Sequence, residues 1–212
     1  MERILYLYAL PYDPDYPVLC FDERPCFLIG DKIAPIPMQS GQVKKEHYIY
    51  EKNGSCALLA AIEPLTGKRI AEVYERRTKK EYALFMKQLA NAYPDAKKIR
   101  LVQDTLNTHD ISAFYENFQA KEAFELAQRF EFYFTPLCAS WLNMIEIEFS
   151  ALAKQSLNRR IPNIEQLKKE VLAIVKERNK KQIKINWQFS IQAARTKLNR
   201  HYKAVNPDNK KL

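Results

Sequence analysis

The chain is poor in the residues that build zinc sites and disulfide frameworks. Its 212 residues include four cysteines and three histidines. The cysteines lie in or beside apolar runs, form no Cys-x-x-Cys pair and have no closely spaced histidine near them; they are Cys20, Cys26, Cys56 and Cys138. Neither a structural zinc site nor a disulfide framework is therefore expected. Buried, reduced thiols in a reducing cytosol fit this pattern better.

The chain also lacks a hydrophobic run long enough for a membrane span. The apolar stretch at the amino terminus is interrupted by Pro11 and Asp13, so it is too short for a signal peptide or a spanning helix. We therefore expect a soluble, intracellular protein.

Positive charge is abundant. The sequence holds 34 Lys and Arg against 25 Asp and Glu, with a net charge of +9 and a pI near 9.3. Such a balance suggests a polyanion as partner, although many basic proteins bind no nucleic acid. A hydrophobic content of 47% is ample for a buried core.

The pattern of apolar runs and turn residues predicts an α/β fold. Pro11, Pro14 and Pro17 predict an extended N-terminal segment over residues 1–17. Strands are predicted near residues 18–22, 26–30, 57–62, 69–74, 99–104 and 130–134. Helices are predicted after a Thr78–Glu81 capping box, over 109–129, around Glu146, from Asn163 onward and over 187–202.

This element order is that of a ribonuclease H-like fold, in which helices flank a mixed sheet made of an antiparallel meander and parallel strands. Residues 18–160 would form this domain, and residues 161–212 a helical C-terminal extension and tail. The tail from Asn206 to Leu212 is polar and is expected to fray.

Three acidic residues stand where they could bind metal ions. Asp22 and Asp104 each close an apolar run, and Glu146 lies in a predicted helix. Two carboxylates at strand ends and a third on a helix can hold a pair of hard cations, which clamp the attacking and leaving oxygens of a phosphodiester.

Simpler roles exist for the same residues. Asp22 could merely end a strand, and Asp104 could cap the turn that begins at Thr105. Helical projection puts Glu146 and Glu148 on the two borders of one apolar face, so geometry does not choose between them. Trp141, at the start of this helix, is predicted to lie in the core.

Several motifs in one order resemble the catalytic domain of bacterial insertion-sequence transposases related to the mariner group, of the IS-six-thirty type. The resemblance runs from about Val18 to Tyr202. It rests on Cys20-Phe21-Asp22-Glu23, Glu63-Pro64-Leu65-Thr66-Gly67, Glu75-Arg76-Arg77-Thr78, the segment 102–109, the segment 139–150, Arg159-Arg160-Ile161-Pro162 and Ala194-Arg195-Thr196-Lys197-Leu198.

The resemblance implies a DDE endonuclease in which Asp22, Asp104 and Glu146 are the catalytic residues and the metal ligands. Glu146 is then the acid of the Asn-x-x-Glu motif that begins at Asn143. It implies Mg²⁺, with Mn²⁺ as a substitute, and a two-metal reaction in which a freed 3′-hydroxyl attacks target DNA. The implied partners are transposon ends and target DNA, bound by a homodimer in the bacterial cytoplasm at the nucleoid, with no membrane and no small-molecule substrate.

Further residues are assigned around this centre. Glu23 and Glu148 are expected beside the ligands or in solvent, and Asn143 is also expected beside the ligands. Asn107 and His109 are expected either to orient the loop after Asp104 or to touch DNA. Candidate DNA-binding residues come from basic clusters, namely Arg76, Arg77, Lys79, Lys80, Arg159 and Arg160. A third basic cluster consists of Lys180, Lys181 and Lys184. The sequence does not indicate which of these basic residues would line a DNA-binding groove beside the carboxylates.

The sequence departs from the family pattern at three places. Leu137-Cys138 stands where Lys-His or a similar pair is usual, Thr105 stands where Asn is common, and only residues 1–21 precede Asp22, where relatives carry a helix-turn-helix region. We therefore expect a portion of a longer protein, one half of a split reading frame, or a decayed element. A catalytically inactive DNA-binding remnant or partner subunit and a ribonuclease H-like nuclease are the alternative functions.

Overall fold

A computed structural model describes residues 1–206. The strands are β1 Val18–Asp31, β2 Tyr50–Glu63, β3 Lys68–Tyr74, β4 Ile99–Gln103 and β5 Phe130–Phe134. The helices are α1 Glu2–Ala9, α2 Lys79–Ala92, α3 Ser112–Asn117, α4 Ala120–Gln128, α5 Ile145–Leu152, α6 Ile164–Lys180, α7 Ile191–Lys197 and α8 Asn199–Val205. A 3₁₀ turn at Ser140–Leu142 precedes α5, and a π-helical turn at Ala153–Leu157 comes after it.

The strands form one mixed sheet in the order β3-β2-β1-β4-β5. β1, β2 and β3 pair antiparallel, whereas β1 pairs with β4 and β4 with β5 in parallel. Parallel neighbours need a crossover connection. α3 and α4 provide it between β4 and β5, and the chain passes from β1 to β4 through β2, β3 and α2. The predicted combination of a meander with parallel strands is confirmed.

Each face of the sheet has its own core. Successive side chains of a strand point to opposite faces, so Cys20 packs with residues of α1, α5 and α6, whereas Leu19 and Phe21 pack with α2, α3 and α4. The sheet is thus the middle of three layers. Asp22, two residues after Cys20 on β1, lies on the same side of the sheet as Cys20 and therefore on the side of α5.

Two predicted helix caps are confirmed. The Glu81 carboxylate accepts a hydrogen bond from the backbone N–H of Thr78, whose side chain in turn caps the first turn of α2. At α6, the side-chain oxygen of Asn163 accepts from the backbone N–H of Gln166 at 2.8 Å. Each cap satisfies backbone donors that a helix start leaves without a partner.

The prediction of an extended segment over residues 1–17 is wrong for its first half. Residues 2–9 form α1, in which Ile4, Leu5 and Leu7 are buried. The prolines that argued for extended backbone begin only at Pro11, so they restrict the backbone after α1 and leave the first turns free to bury an apolar face.

The predicted break between two strands near residue 24 is also wrong. β1 runs without interruption through Pro25, which lies opposite Ala57 of β2. β4 pairs with β1 only as far as Cys20. From there on, β1 has no strand on its β4 side among the described residues, so a residue without an N–H can be accommodated there.

Other boundaries differ where local pattern gave little guidance. The helix predicted over 109–129 is two helices, because Phe118 adopts an extended conformation between α3 and α4. The last helical region begins at Ile191, capped by Ser190, and not at Trp187. β2 begins at Tyr50, earlier than predicted. Of the predicted tail, residues 207–212 lie outside the described part of the chain.

The expectations about cysteine and membrane spans can be compared with the structure. All four cysteines are free, and Cys20 and Cys56 are buried while Cys138 is exposed. Across residues 1–206, no helix combines the length and apolarity needed to cross a bilayer.

A buried ion-pair network fixes α5 on the sheet. The Glu148 carboxylate lies 2.8 Å from Nε of Arg69 on β3 and 2.8 Å from Nε of Arg178 on α6. The side chains of Glu148 and Arg69 are only 2% and 1% exposed. One acidic side chain of α5 thereby joins three elements, so the position of this helix depends on it.

Removing the charge of Glu148 should therefore destabilise the protein. Glu148→Gln leaves Arg69 buried without a counter-charge, which typically costs about 3–5 kcal/mol. Urea unfolding should show this loss. Glu177→Gln, which removes an exposed partner of Lys181, is the matched control and should change stability little. An equally small effect at Glu148 would contradict the role of the network.

Candidate active site

Parallel pairing places Asp22 and Asp104 side by side. Cys20 of β1 is paired with Val102 of β4, and the same register continued by two residues sets Asp22 beside Asp104. By strand alternation the Asp22 carboxylate points to the face that carries α5, as Cys20 does. Asp104 is the first residue after β4, at the carboxyl end of the strand, where α/β sheets commonly place their sites.

Asn143 brings the start of α5 to the same place. Its buried side-chain amide donates a hydrogen bond of 2.8 Å to the carbonyl oxygen of Phe21, the residue before Asp22. Its amide oxygen accepts from the N–H of Ile145 at 3.4 Å. The first turn of α5 is thus attached to β1, and Glu146 lies exposed in that turn.

The three carboxylates are close enough to influence one another. Burial raises the pKa of Asp22, the backbone N–H of Glu23 at 2.7 Å opposes this, and the charges of Asp104 and Glu146 raise it further, to about 7. Burial is thus the main cause of the raised pKa of Asp22; the neighbouring carboxylates add to it, and the charge of His109 opposes it. A bound cation would favour the ionised form of Asp22.

Asp104 is in a different environment because of His109. Nδ1 of His109 lies 2.6 Å from Oδ1 of Asp104, and Nε2 lies 3.6 Å from Oε2 of Glu23, an ion-pair distance. The imidazole is buried, stacked on the ring of Tyr82 at 5.0 Å and edge-on to Phe21 at 5.1 Å. The structure therefore places His109 inside the protein and not on a DNA-facing surface.

The contact between His109 and Asp104 shifts the pKa of both side chains. Burial alone would lower the pKa of His109, but its contacts with Asp104 and Glu23 outweigh burial and raise it to about 9. The hydrogen bond from His109 lowers the pKa of Asp104. At neutral pH a protonated His109 thus balances part of the charge of Asp104. Arg77 extends the network, 3.0 Å from Glu23.

Two other residues predicted to lie near the ligands, Glu148 and Asn107, differ in burial. Glu148 is held by Arg69 and Arg178 on the inner side of α5. Asn107 is exposed in the loop after Asp104. Glu146 and Glu148, which helical projection could not separate, differ in burial: Glu148 is buried and ion-paired, whereas Glu146 is exposed and its charge acts on Asp22. The choice of Glu146 as the third acid stays a prediction.

The donor set fits a hard divalent cation. Within residues 1–206, no three His, Cys, Asp or Glu side chains converge tightly enough to form a metal site by themselves. Mg²⁺, however, is usually held by one or two carboxylates and completes its shell with water and substrate phosphate oxygens. Asp22 and Asp104 meet this requirement, and Glu146 is the nearby third carboxylate.

The six candidate DNA-binding residues are not equivalent. Four of them contact carboxylates: Arg77 contacts Glu23, Lys79 contacts Glu116, Arg159 contacts Glu170, and Arg160 contacts Asp31 and Glu46. Arg76 and Lys80 are exposed and form no ion pair with any residue in the described range. These two are the cations most available to a phosphate.

Trp141 was predicted to lie in the core, and this is wrong. The residue is 46% exposed and lines a groove of about 630 Å³ together with Glu146. The projection assumed that one helix includes both residues. Trp141 belongs to a separate 3₁₀ turn, and α5 begins only at Ile145.

Sequence comparison decides the family. A family model described as DDE superfamily endonuclease matches residues 17–168. The chain belongs to the DDE superfamily endonucleases. The matched range contains Asp22, Asp104 and Glu146. No protein of curated function matches the chain in sequence.

Solved structures show the fold of this superfamily member. A Mos1 mariner paired end complex with Mn matches with a TM-score of 0.56 and 14% identity, covering 100% of this chain and 61% of that one. A Mos1 transposase paired-end complex with left transposon end gives 0.57 and 15%, covering 99% and 60%. A mariner Mos1 paired end complex with Mg gives 0.53 and 15%, covering 100% and 60%.

These likenesses confirm the predicted ribonuclease H-like fold. The family model confirms the predicted DDE endonuclease family, whereas the IS-six-thirty type stays a prediction. The chain spans about 60% of the length of the Mos1 chains that it matches.

The two aspartates should respond oppositely to neutralisation in metal-free buffer. Folded Asp22 keeps its proton up to about pH 7, whereas an unfolded aspartate loses it near pH 4, so stability falls as pH rises through this window. Asp22→Asn should stabilise the protein at pH 8, by at most about 4 kcal/mol for a shift of this size, and should have little effect at pH 4.

Asp104→Asn should instead destabilise the protein at pH 7, by about 1–3 kcal/mol, because the buried His109 cation loses its closest acceptor. The raised pKa of His109 contributes stability that is complete below pH 6.5 and is lost as pH rises through about 9, so the cost should shrink above pH 9. Thermal unfolding across pH tests both variants, and stabilisation by both would contradict this arrangement.

Proposed function

We propose that this chain is the catalytic domain of a transposase that cleaves DNA at transposon ends and joins the freed 3′ ends to target DNA. The observation that carries the proposal is the register of β1 with β4, which brings Asp22 next to Asp104, together with the hydrogen bond from Asn143 to Phe21 that attaches the start of α5, and with it Glu146, to β1. Membership of the DDE superfamily endonucleases supports the same chemistry.

Each residue has a distinct task in this proposal. Asp22 and Asp104 would hold divalent cations, Mg²⁺ or Mn²⁺, at the end of adjacent strands, and Glu146 would complete the site from α5. Bound there as a pair, such ions would generate the attacking nucleophile and stabilise both the entering and leaving oxygens of the phosphodiester.

The surrounding side chains position this centre. His109 fixes the orientation of the Asp104 carboxylate through a 2.6 Å contact. Asn143 fixes the first turn of α5 relative to β1 through the carbonyl oxygen of Phe21. Glu148 fixes the inner side of α5 through Arg69 and Arg178. Their common effect is to limit motion between the strand carboxylates and Glu146.

The structural relatives suggest the partners. They are paired-end complexes, one described with a left transposon end and others with Mn or Mg. We extend these properties to this chain as part of the proposal: transposon-end and target DNA as substrates, a homodimer that forms on DNA, and action at the nucleoid in the bacterial cytoplasm.

Metal-dependent nicking tests the catalytic assignment. Wild-type protein should nick plasmid DNA with Mg²⁺ or Mn²⁺, whereas Asp22→Asn, Asp104→Asn and Glu146→Gln should fall to background. Mn²⁺ at a hundred times its dissociation constant should stabilise the wild type by about 2.7 kcal/mol, and the two aspartate variants should lose this gain.

Glu165→Gln is the matched control, because Glu165 is an exposed acid in the first turn of α6. It should keep both nicking and metal stabilisation. Wild-type protein that binds DNA but never nicks it would favour a decayed remnant or a partner subunit. Cleavage confined to the RNA strand of RNA:DNA hybrids would favour a ribonuclease H-like nuclease.

The salt dependence of DNA binding tests the basic residues. The logarithm of the binding constant should fall linearly with the logarithm of salt concentration, by about 0.9 per phosphate contacted. Arg76→Ala and Lys80→Ala should each make this slope shallower by about 0.9. Arg160→Ala should leave the slope nearly unchanged and lower the melting temperature, because Arg160 is paired with Asp31. The reverse pattern would show that ion-paired residues form the DNA surface.

A further inference from the structure

An open groove lies directly beside the proposed catalytic glutamate. It has a volume of about 630 Å³, and its walls come from the 3₁₀ turn, from α5 and from the π-helical turn after α5. The residues that matter here are Trp141, Glu146, Ile147, Ser150 and Lys154. The groove has an apolar part and a polar part, and binding of metal ions by Asp22, Asp104 and Glu146 requires neither of them.

The apolar part is unusual for a protein surface. Trp141 and Ile147 are each 46% exposed and line the same groove. Trp141 is nevertheless held in place, because its ring meets that of Phe189 at 5.4 Å and a near-perpendicular 77°. An exposed tryptophan fixed by a neighbouring ring offers a preformed surface for a flat apolar group at little entropic cost.

The polar part suits a nucleotide. Lys154 is exposed on the π-helical turn and forms no ion pair with any described residue, so its charge is available to a phosphate. Ser150 is exposed on the same wall and can contact the edge of a base. An aromatic surface combined with a cation is the arrangement by which proteins bind single-stranded nucleic acids.

We propose that this groove binds an unpaired nucleobase of the DNA substrate, stacked on Trp141, next to the phosphodiester held at Asp22, Asp104 and Glu146. Bases inside a duplex stack on each other, so the nucleotide must leave the helix to reach Trp141. Leaving the helix is easiest where the base is mispaired or single-stranded. The substrate class is therefore DNA with an unpaired nucleotide beside the reactive phosphate. The position of the base beside a reactive phosphodiester rests on the proposed function. The binding of a base to Trp141 does not depend on it.

Tryptophan fluorescence tests the binding step without catalysis. The chain has two tryptophans, and Trp187→Phe leaves Trp141 as the only reporter. Titration in EDTA with a short single-stranded oligonucleotide should quench this fluorescence. An abasic oligonucleotide of the same length carries the same phosphates and should quench it much less. Equal quenching by both would overturn base stacking.

Affinity measurements on variants provide the second test. Trp141→Ala should weaken binding of the oligonucleotide by about 5- to 150-fold, the range found for loss of one base–aromatic stack. Trp141→Phe should retain most of the affinity. The control is Phe124→Ala on α4, which removes another exposed aromatic ring, 56% exposed, that does not line this groove. Unchanged affinity in Trp141→Ala would overturn the proposal.

Two further results separate this inference from the proposed function. Base-dependent quenching by a protein that never nicks DNA would support the nucleobase site and contradict the transposase assignment. Nicking that is equally fast on fully paired and mispaired substrates, with no quenching, would contradict only the nucleobase site. A loss of self-association in Trp141→Ala with unchanged DNA affinity would identify the groove as an interface between copies, and would overturn the proposal.

Discussion

The candidate site depends on the parallel pairing of β1 with β4. This pairing covers only Val18 to Cys20, yet its register brings Asp22 next to Asp104, the first residue after β4. A shift of β1 by one residue would turn the Asp22 carboxylate to the opposite face. The apolar side chains on either side of the pairing, such as Leu19 and Val102, are fully buried and resist such a shift.

The two aspartates are chemically unequal although they lie side by side. Asp22 is largely buried and has a raised pKa, chiefly because burial disfavours its charged form. Asp104 lies against a histidine that is itself held by Glu23, and has a lowered pKa. Asp104 is thus already paired with a cation of the protein, while a bound metal ion would favour the ionised form of Asp22.

The short helix α5 carries two acids with opposite roles. Glu148 is buried and holds the helix to β3 and α6, and Glu146 is exposed in the first turn, toward the aspartates. Asn143 adds a direct bond from the start of this helix to β1. A catalytic geometry assembled from two strands and one helix requires such supporting contacts, because the polar side chains of a site do not themselves hold its elements together.

The sequence by itself determined the mixed sheet and the Thr78 and Asn163 caps, because apolar periodicity and capping pairs are local signals. Motif order also singled out Asp22, Asp104 and Glu146, whose roles stay a prediction. The sequence did not determine the continuity of β1 through Pro25, the burial of α1, the exposure of Trp141 or the different burial of Glu146 and Glu148. These features depend on the neighbours of each residue in the fold. Among the described residues, β1 has no strand on its β4 side at Pro25, the apolar side chains of α1 pack into a core, and Arg69 and Arg178 surround Glu148. Only the tertiary structure decided them, since burial and charge pairing are set by neighbours that are distant along the chain.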